Sequence, residues 1–93
     1  MTSPAEKLRD AAAIIEQRDQ YHGNWRVNML NTSVFWQRYL GCPVTPTQVA
    51  LLNCLQKVSR MCSGGEPNGD DYDDLIGWAA IAAALQDDEE TLE

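Results

Sequence analysis

Apolar residues recur at helical spacing in four stretches, separated by short runs of glycine, proline and small polar residues. In the first stretch Leu8, Ala11, Ala12 and Ile15 repeat every three to four positions, and charged residues largely fill the other faces. Ser3-Pro4-Ala5-Glu6 opens it with a capping serine, a proline suited to the first helical position and a glutamate that completes a capping box. A helix from Pro4 to about Tyr21 is predicted, ending at Gly23 in a left-handed C-cap. Asn24 caps a second helix that runs to about Leu40 with Trp25, Met29, Phe35, Trp36 and Tyr39 as its apolar set. The weak helix formers Asn31-Thr32-Ser33 suggest a kink or break in its middle. Gly41 and Pro43 stop it.

Thr45-Pro46-Thr47-Gln48 repeats the first start signal and begins a third helix, ending near Cys62. On a helical projection Leu51, Leu55, Val58 and Cys62 share one face, and Asn53, Gln56, Lys57 and Arg60 the opposite one. Ser63 to Gly69 reads as a turn. A fourth helix, Asp70 to Leu85, opens with Asp70, Asp71, Asp73 and Asp74 and continues as an apolar run, Leu75 to Leu85, with no charge. Aspartates suit a helix N-terminus, and an apolar run of this kind implies burial on several sides. The fold class expected is all-α: a compact four-helix bundle with the third and fourth helices as its core hairpin, in a single helical domain over residues 1–86 followed by an acidic tail, 87–93. Leu51, Leu55, Val58, Leu75, Ile76, Ala79 and Ala82 are the expected centre. Gly77 and the alanines permit close approach, so a homo-oligomer through the fourth helix is expected.

Composition narrows the reading. A chain of 93 residues holds one domain. No window approaches the ~20 apolar residues of a membrane span, and Glu6, Lys7, Arg9 and Asp10 interrupt any signal-like start, so a cytoplasmic protein without a membrane partner is expected. Three cysteines, Cys42, Cys54 and Cys62, with a single histidine argue against a disulfide framework or a structural zinc. Buried reduced thiols are the expectation, with Cys54 and Cys62 on apolar parts of the third helix. His22, beside Gly23, reads as a capping or surface residue rather than a catalytic base. The net charge of −7 is unevenly spread: residues 1–62 hold seven Lys/Arg and four Asp/Glu, whereas residues 63–93 hold ten Asp/Glu and no Lys/Arg. Nucleic acid is therefore not an expected partner. A basic protein partner or a divalent cation is.

Asp70 and Asp71 each stand within one helical turn of Asp74, close enough to supply half of a magnesium site. The facing helix offers Asn53, Gln56, Lys57 and Arg60 in place of further carboxylates, so an ion pair from Lys57 or Arg60 to Asp70 or Asp74 is the structural alternative. Tyr21, Trp25 and Trp36 are core candidates that can also stack on a base.

Tyr21-x-Gly23-Asn24, Trp36-x-x-Tyr39-Leu40-Gly41, Thr45-Pro46-x-x-Val49-Ala50, Leu55-x-Lys57-Val58-x-Arg60 and Asp71-Tyr72-x-Asp74-x-x-Gly77-Trp78-Ala79-Ala80 together resemble a family of small tailed-phage proteins of unknown function, over roughly residues 8–85. The helical hairpin is in turn similar to that of the MazG-like all-α nucleotide pyrophosphohydrolases, which bind magnesium through an E-x-x-E on one helix and an E-x-x-D on the next. Asp71-x-x-Asp74 stands where the second motif would be, and the segment Thr45–Cys62 has no acid to supply the first. That departure argues against hydrolysis. The resemblance implies a phage-encoded protein in the host cytoplasm. The acidic balance after residue 62, the incomplete catalytic set and the small size favour, over an enzyme, an accessory protein that binds a host or phage protein through its acidic third and modulates a host enzyme or defence system; if it is an enzyme, a magnesium-dependent nucleotide pyrophosphohydrolase is expected. The alternative is a nucleotide-binding or divergent pyrophosphohydrolase relative: Asp70, Asp71 and Asp74 would hold magnesium, Lys57 and Arg60 would meet phosphates with Asn53 and Gln56 beside them, and Tyr21 or Trp25 would stack on the base.

Overall fold

The computed structural model describes residues 2–65 and 70–92, with the side chains of 21, 22, 91 and 92 left aside. Among the described residues four helices account for the fold: α1 (Pro4–His22), α2 (Trp25–Leu40), α3 (Pro46–Cys62) and α4 (Asp70–Leu92). Each start signal caps its helix, and of the two capping boxes expected, at Ser3 and at Thr45, the one at Thr45 closes. Ser3 Oγ accepts from the Glu6 amide, Asn24 Oδ1 from the amides of Arg26 and Val27, and Thr45 with Gln48 closes a reciprocal capping box. Gly41 ends α2 in the left-handed region and donates its amide to Gln37 O. Gly23 also has positive φ, 76°, but its ψ of −162° lies outside the left-handed helical region, so the chain leaves α1 in an extended step that glycine alone makes without strain. The turn expected at Ser63–Gly69 begins with Ser63 and Gly64; residues 66–69 lie outside the described residues.

α3 and α4 form the most extensive pair, α1 packs on α4, and α2 packs on α3. The result is a compact all-α bundle, 44 × 30 × 25 Å. Met29, Val44, Val49, Ala50, Ala82 and Leu85 make the core, flanked by Trp25, Trp36, Trp78 and Ile81. Among the described residues no helix is long and apolar enough to cross a membrane.

Four expectations are corrected. First, α2 runs unbroken through Asn31-Thr32-Ser33, because Thr32 Oγ1 donates to Asn28 O and Ser33 Oγ to Leu30 O, turning hydroxyls that would compete with the helix back onto its own carbonyls. Second, α4 does not stop at Leu85 but continues through the acidic residues to Leu92. Its last turns are held by side chains: Thr47 Oγ1 donates to Glu89 at 2.7 Å, Arg26 Nε to Asp88 at 3.0 Å, and Gln86 to Glu90 one turn on. Third, the face Leu51–Leu55–Val58 is not the core. These residues are 49%, 63% and 41% exposed, whereas Val49 and Ala50 are fully buried. Ala79 is exposed, Leu75 and Ile76 are half-buried, and only Ala82 of the expected centre is buried. Fourth, Cys42 and Cys62 are exposed and Cys54 half-buried, all three as free thiols. Burial pushes the Cys54 thiol up, partly offset by a hydrogen bond from its own backbone.

Candidate functional site

The opening of α4 is where charge converges. Asp71, Asp73 and Asp74 turn inward, and each meets a cation from a neighbouring helix. From α3, Lys57 Nζ reaches Asp74 Oδ2 at 2.9 Å and Arg60 Nε donates to Asp71 Oδ1 at 3.0 Å. From α1, Arg18 Nη2 donates to Asp74 Oδ1 at 3.0 Å, and Lys7 Nζ lies 3.4 Å from Asp73 Oδ1. Lys7, Ala11, Ile14 and Arg18 repeat at three to four residues, which places both cations and the apolar contact on one side of α1.

Asp74 is bracketed from both sides. Burial alone would raise its carboxyl, but hydrogen bonds and charge from Lys57 and Arg18 outweigh that and hold it below the ordinary carboxylate range. Asp73 is different. It is only 9% exposed, and its Oδ1 is shut off from solvent without a hydrogen bond; Lys7 supplies charge at 3.4 Å but not hydrogen-bond geometry. A buried carboxylate oxygen left this way has unused accepting capacity.

Asp73 and Asp74 open onto a cleft of about 160 Å³ between α1, the start of α2 and α4. Ile14 and Ile15 form one wall, Trp25 and Met29 another, and Trp78 and Ile81 the third. Arg18 and Asn28 add polar groups at its edge. Gly77 lies between the walls: a Cβ built there would sit 3.7 Å from Ile15, so the glycine brings α1 close without being sterically required. Arg26 stacks over Trp25 with its guanidinium 4.2 Å from the ring centroid while bonding to Asp88, which fixes the indole's outer side.

A domain of unknown function, DUF6378, matches residues 6–86 of this sequence. The chain belongs to the DUF6378 family. The match takes in every residue that lines the cleft and all four cations of the α4 cluster, and stops before the last turns of α4. No curated protein matches the chain. No solved structure matches it either.

The residues expected at a site divide in two. Lys57, Arg60, Asp71 and Asp74 come together as ion pairs: Lys57 meets Asp74, as the structural alternative has it, but Arg60 meets Asp71 rather than Asp70 or Asp74. Trp25 lines the cleft. Asn53, half-buried, donates to Val49 O of its own helix, and Gln56 is exposed, so neither reaches the cleft. Asp70 is exposed at the helix start, and the side chain of Tyr21 lies outside the described residues. The carboxylates do not fit a magnesium ion. Asp71 and Asp74 already accept from three cations, α3 brings amine and guanidinium where metal ligands would be needed, and among the described residues no group of three or more His, Cys, Asp or Glu is placed to hold a metal. Arg18 and Asp73 escaped the sequence reading. The signal was present for Asp73: it stands one turn before Gly77 and two before Ile81, on the stripe that faces α1.

Proposed function

We propose that this domain is a binding module rather than an enzyme, and that its cleft takes the base of a nucleoside or nucleotide. The observation that carries this reading is the pairing of indole and aliphatic walls with the carboxylates of Asp73 and Asp74 along one cleft. A flat heteroaromatic ring gains stacking and burial from Trp25 and Trp78. An exocyclic amine or ring N–H would donate to the Asp73 carboxylate where it lines the cleft, and a phosphate would meet Arg18 at the edge. Because the carboxylates do not fit magnesium, binding is expected to be independent of it, which separates this reading from pyrophosphohydrolysis.

The test is a thermal melt of purified protein against nucleobases, nucleosides and nucleotides, with and without magnesium. A ligand that binds only the folded state must raise the melting temperature. The expected result is a saturable rise in millimolar ligand, unchanged by magnesium and lost in Asp73→Asn. A flat series across the panel would overturn the reading.

A second reading, a phage-encoded accessory protein that engages a protein partner in the host cytoplasm, is favoured by one observation: Asp87 and Glu90 stand exposed on the last turns of α4, in the part of the chain that has no Lys or Arg. Recovery of a specific host protein at low salt, lost on Asp87→Lys with Glu90→Lys, would support it.

A further inference from the structure

We infer that the base taken by the cleft is guanine, selected by the N–H donors on the edge that it turns toward Asp73. The inference rests on the base-binding reading above and says which base is chosen. The polar groups that line the cleft are unequal in kind: the carboxylates of Asp19, Asp73 and Asp74, the amide of Asn28 and the guanidinium of Arg18. A carboxylate accepts hydrogen bonds and donates none; a guanidinium does the reverse. Arg18 already donates to one oxygen of Asp74 at 3.0 Å, and the other oxygen lies 2.9 Å from Lys57 Nζ. What the cleft has left over is accepting capacity, on Asp73 and Asp19. Asp73 is the buried one of these two, and Asp19 is exposed. The Oδ1 of Asp73 is shut off from solvent beside Lys7, so a ligand meets this carboxylate through Oδ2.

The bases differ in what they offer such an acceptor. Guanine presents two neighbouring donors on its pairing edge, the ring N–H and the 2-amine. Adenine and cytosine each present one amine beside a bare ring nitrogen, whose lone pair would face the same carboxylate. Uracil presents one N–H between two carbonyl oxygens. A carboxylate oxygen has two lone pairs, so Oδ2 can accept both guanine donors with no acceptor of the base set against it. Such charge-assisted bonds are stronger than neutral ones, and the apolar walls around them reduce screening by water. Trp25 and Trp78 stack on any base and so add affinity without choosing. The choice falls to the carboxylate. The remaining acceptor of the guanine edge, its carbonyl oxygen, is of the kind that the Asn28 amide can serve.

Titration calorimetry of the full chain with the 5′-monophosphates of guanosine, inosine, adenosine and cytidine decides the matter. Sugar and phosphate are common to all of them, so differences in affinity belong to the base. The inosine nucleotide keeps the ring N–H and the carbonyl of guanine and lacks only the 2-amine. The guanosine nucleotide should bind tightest. The inosine nucleotide should be about tenfold weaker, for the loss of one hydrogen bond to a charged acceptor, and the adenosine and cytidine nucleotides weaker again. In Asp73→Asn the guanosine nucleotide should lose its lead; a variant in which the full lead persists would overturn the role of Asp73. The ranking itself is measured on the unaltered chain and does not depend on whether a variant folds. Adenosine, cytidine or inosine nucleotide binding as tightly as guanosine nucleotide would overturn the selection of guanine and leave base binding standing. No heat and no rise in melting temperature with any of them would overturn both.

Discussion

On one side of α3, Lys57 and Arg60 reach carboxylates of α4 at 2.9 and 3.0 Å; on the other, Leu51, Leu55 and Val58 face water. Elementary hydrophobicity would turn the helix the other way round. Magnitudes explain why it does not. Three aliphatic side chains left about half exposed forgo roughly 1 kcal/mol each. Stranding a buried carboxylate without its cation costs about 3–5 kcal/mol, and the inverted helix would strand Asp71 and leave Asp74 with only one of its two cations, Arg18. Four aspartates at the head of α4 therefore orient α3, and the apolar stripe takes the direction left over. A helix's amphipathicity identifies two faces; what the neighbouring helix needs decides which one turns inward.

The sharpest way to break this comparison is to remove the anchor. Asp74→Ala leaves Lys57 and Arg18 without their shared partner, and the loss of stability should be on the order of 3 kcal/mol by urea unfolding. Its pH dependence has a definite sign. Because the Asp74 carboxyl is held lower in the folded chain than in the unfolded one, the unfolded chain binds the proton more readily. The contribution of Asp74 is therefore complete above the ordinary carboxylate range and is lost as pH falls through the depressed folded value. Asp74→Asn should flatten that part of the acid limb; an acid limb identical to that of the parent chain would mean the two cations do not hold this carboxylate.

The next effect in size compares the two faces directly. Val49→Ala, at a fully buried position, should cost about 2 kcal/mol. Leu55→Ala, at 63% exposure, should cost less than about 0.5 kcal/mol in dilute protein, although it removes more carbon. Equal losses would mean that α3 turns its stripe inward after all.

These residues also show how much could be read in advance. The four helices, their caps at Ser3, Asn24 and Thr45, and the α3–α4 hairpin were legible because they rest on local chemistry: a side chain bonding an amide two or three residues away. The Lys57–Asp74 ion pair was legible as one of several alternatives, since opposite charges on antiparallel neighbours are few here, but the choice of Asp71 by Arg60 was not. The direction of α3 was not, because it depends on a comparison of energies between helices. The end of α4 was misread for a related reason. Asp87-Asp88-Glu89-Glu90 opposes the helix dipole, but Thr47 and Arg26, far away in sequence, supply the hydrogen bonds that hold Glu89 and Asp88 in place. Asp73 and Arg18 were hidden because a cleft is a property of three helices together.

One feature of the connectivity reaches beyond the static structure. α1 rests on α4 and joins the rest of the chain through Gly23 and Asn24, whereas α3 and α4 are bound to each other at both ends, by Lys57 and Arg60 at one and by Thr47 at the other. The free energy needed to open the molecule is then unequal along the chain, and α1 opens more cheaply than the α3–α4 pair. Its amides should exchange with deuterium before those of α3. Since Ile14, Ile15 and Arg18 leave with it, every such opening also uncovers the cleft, and a ligand seated there would be recognised first by slower exchange in α1.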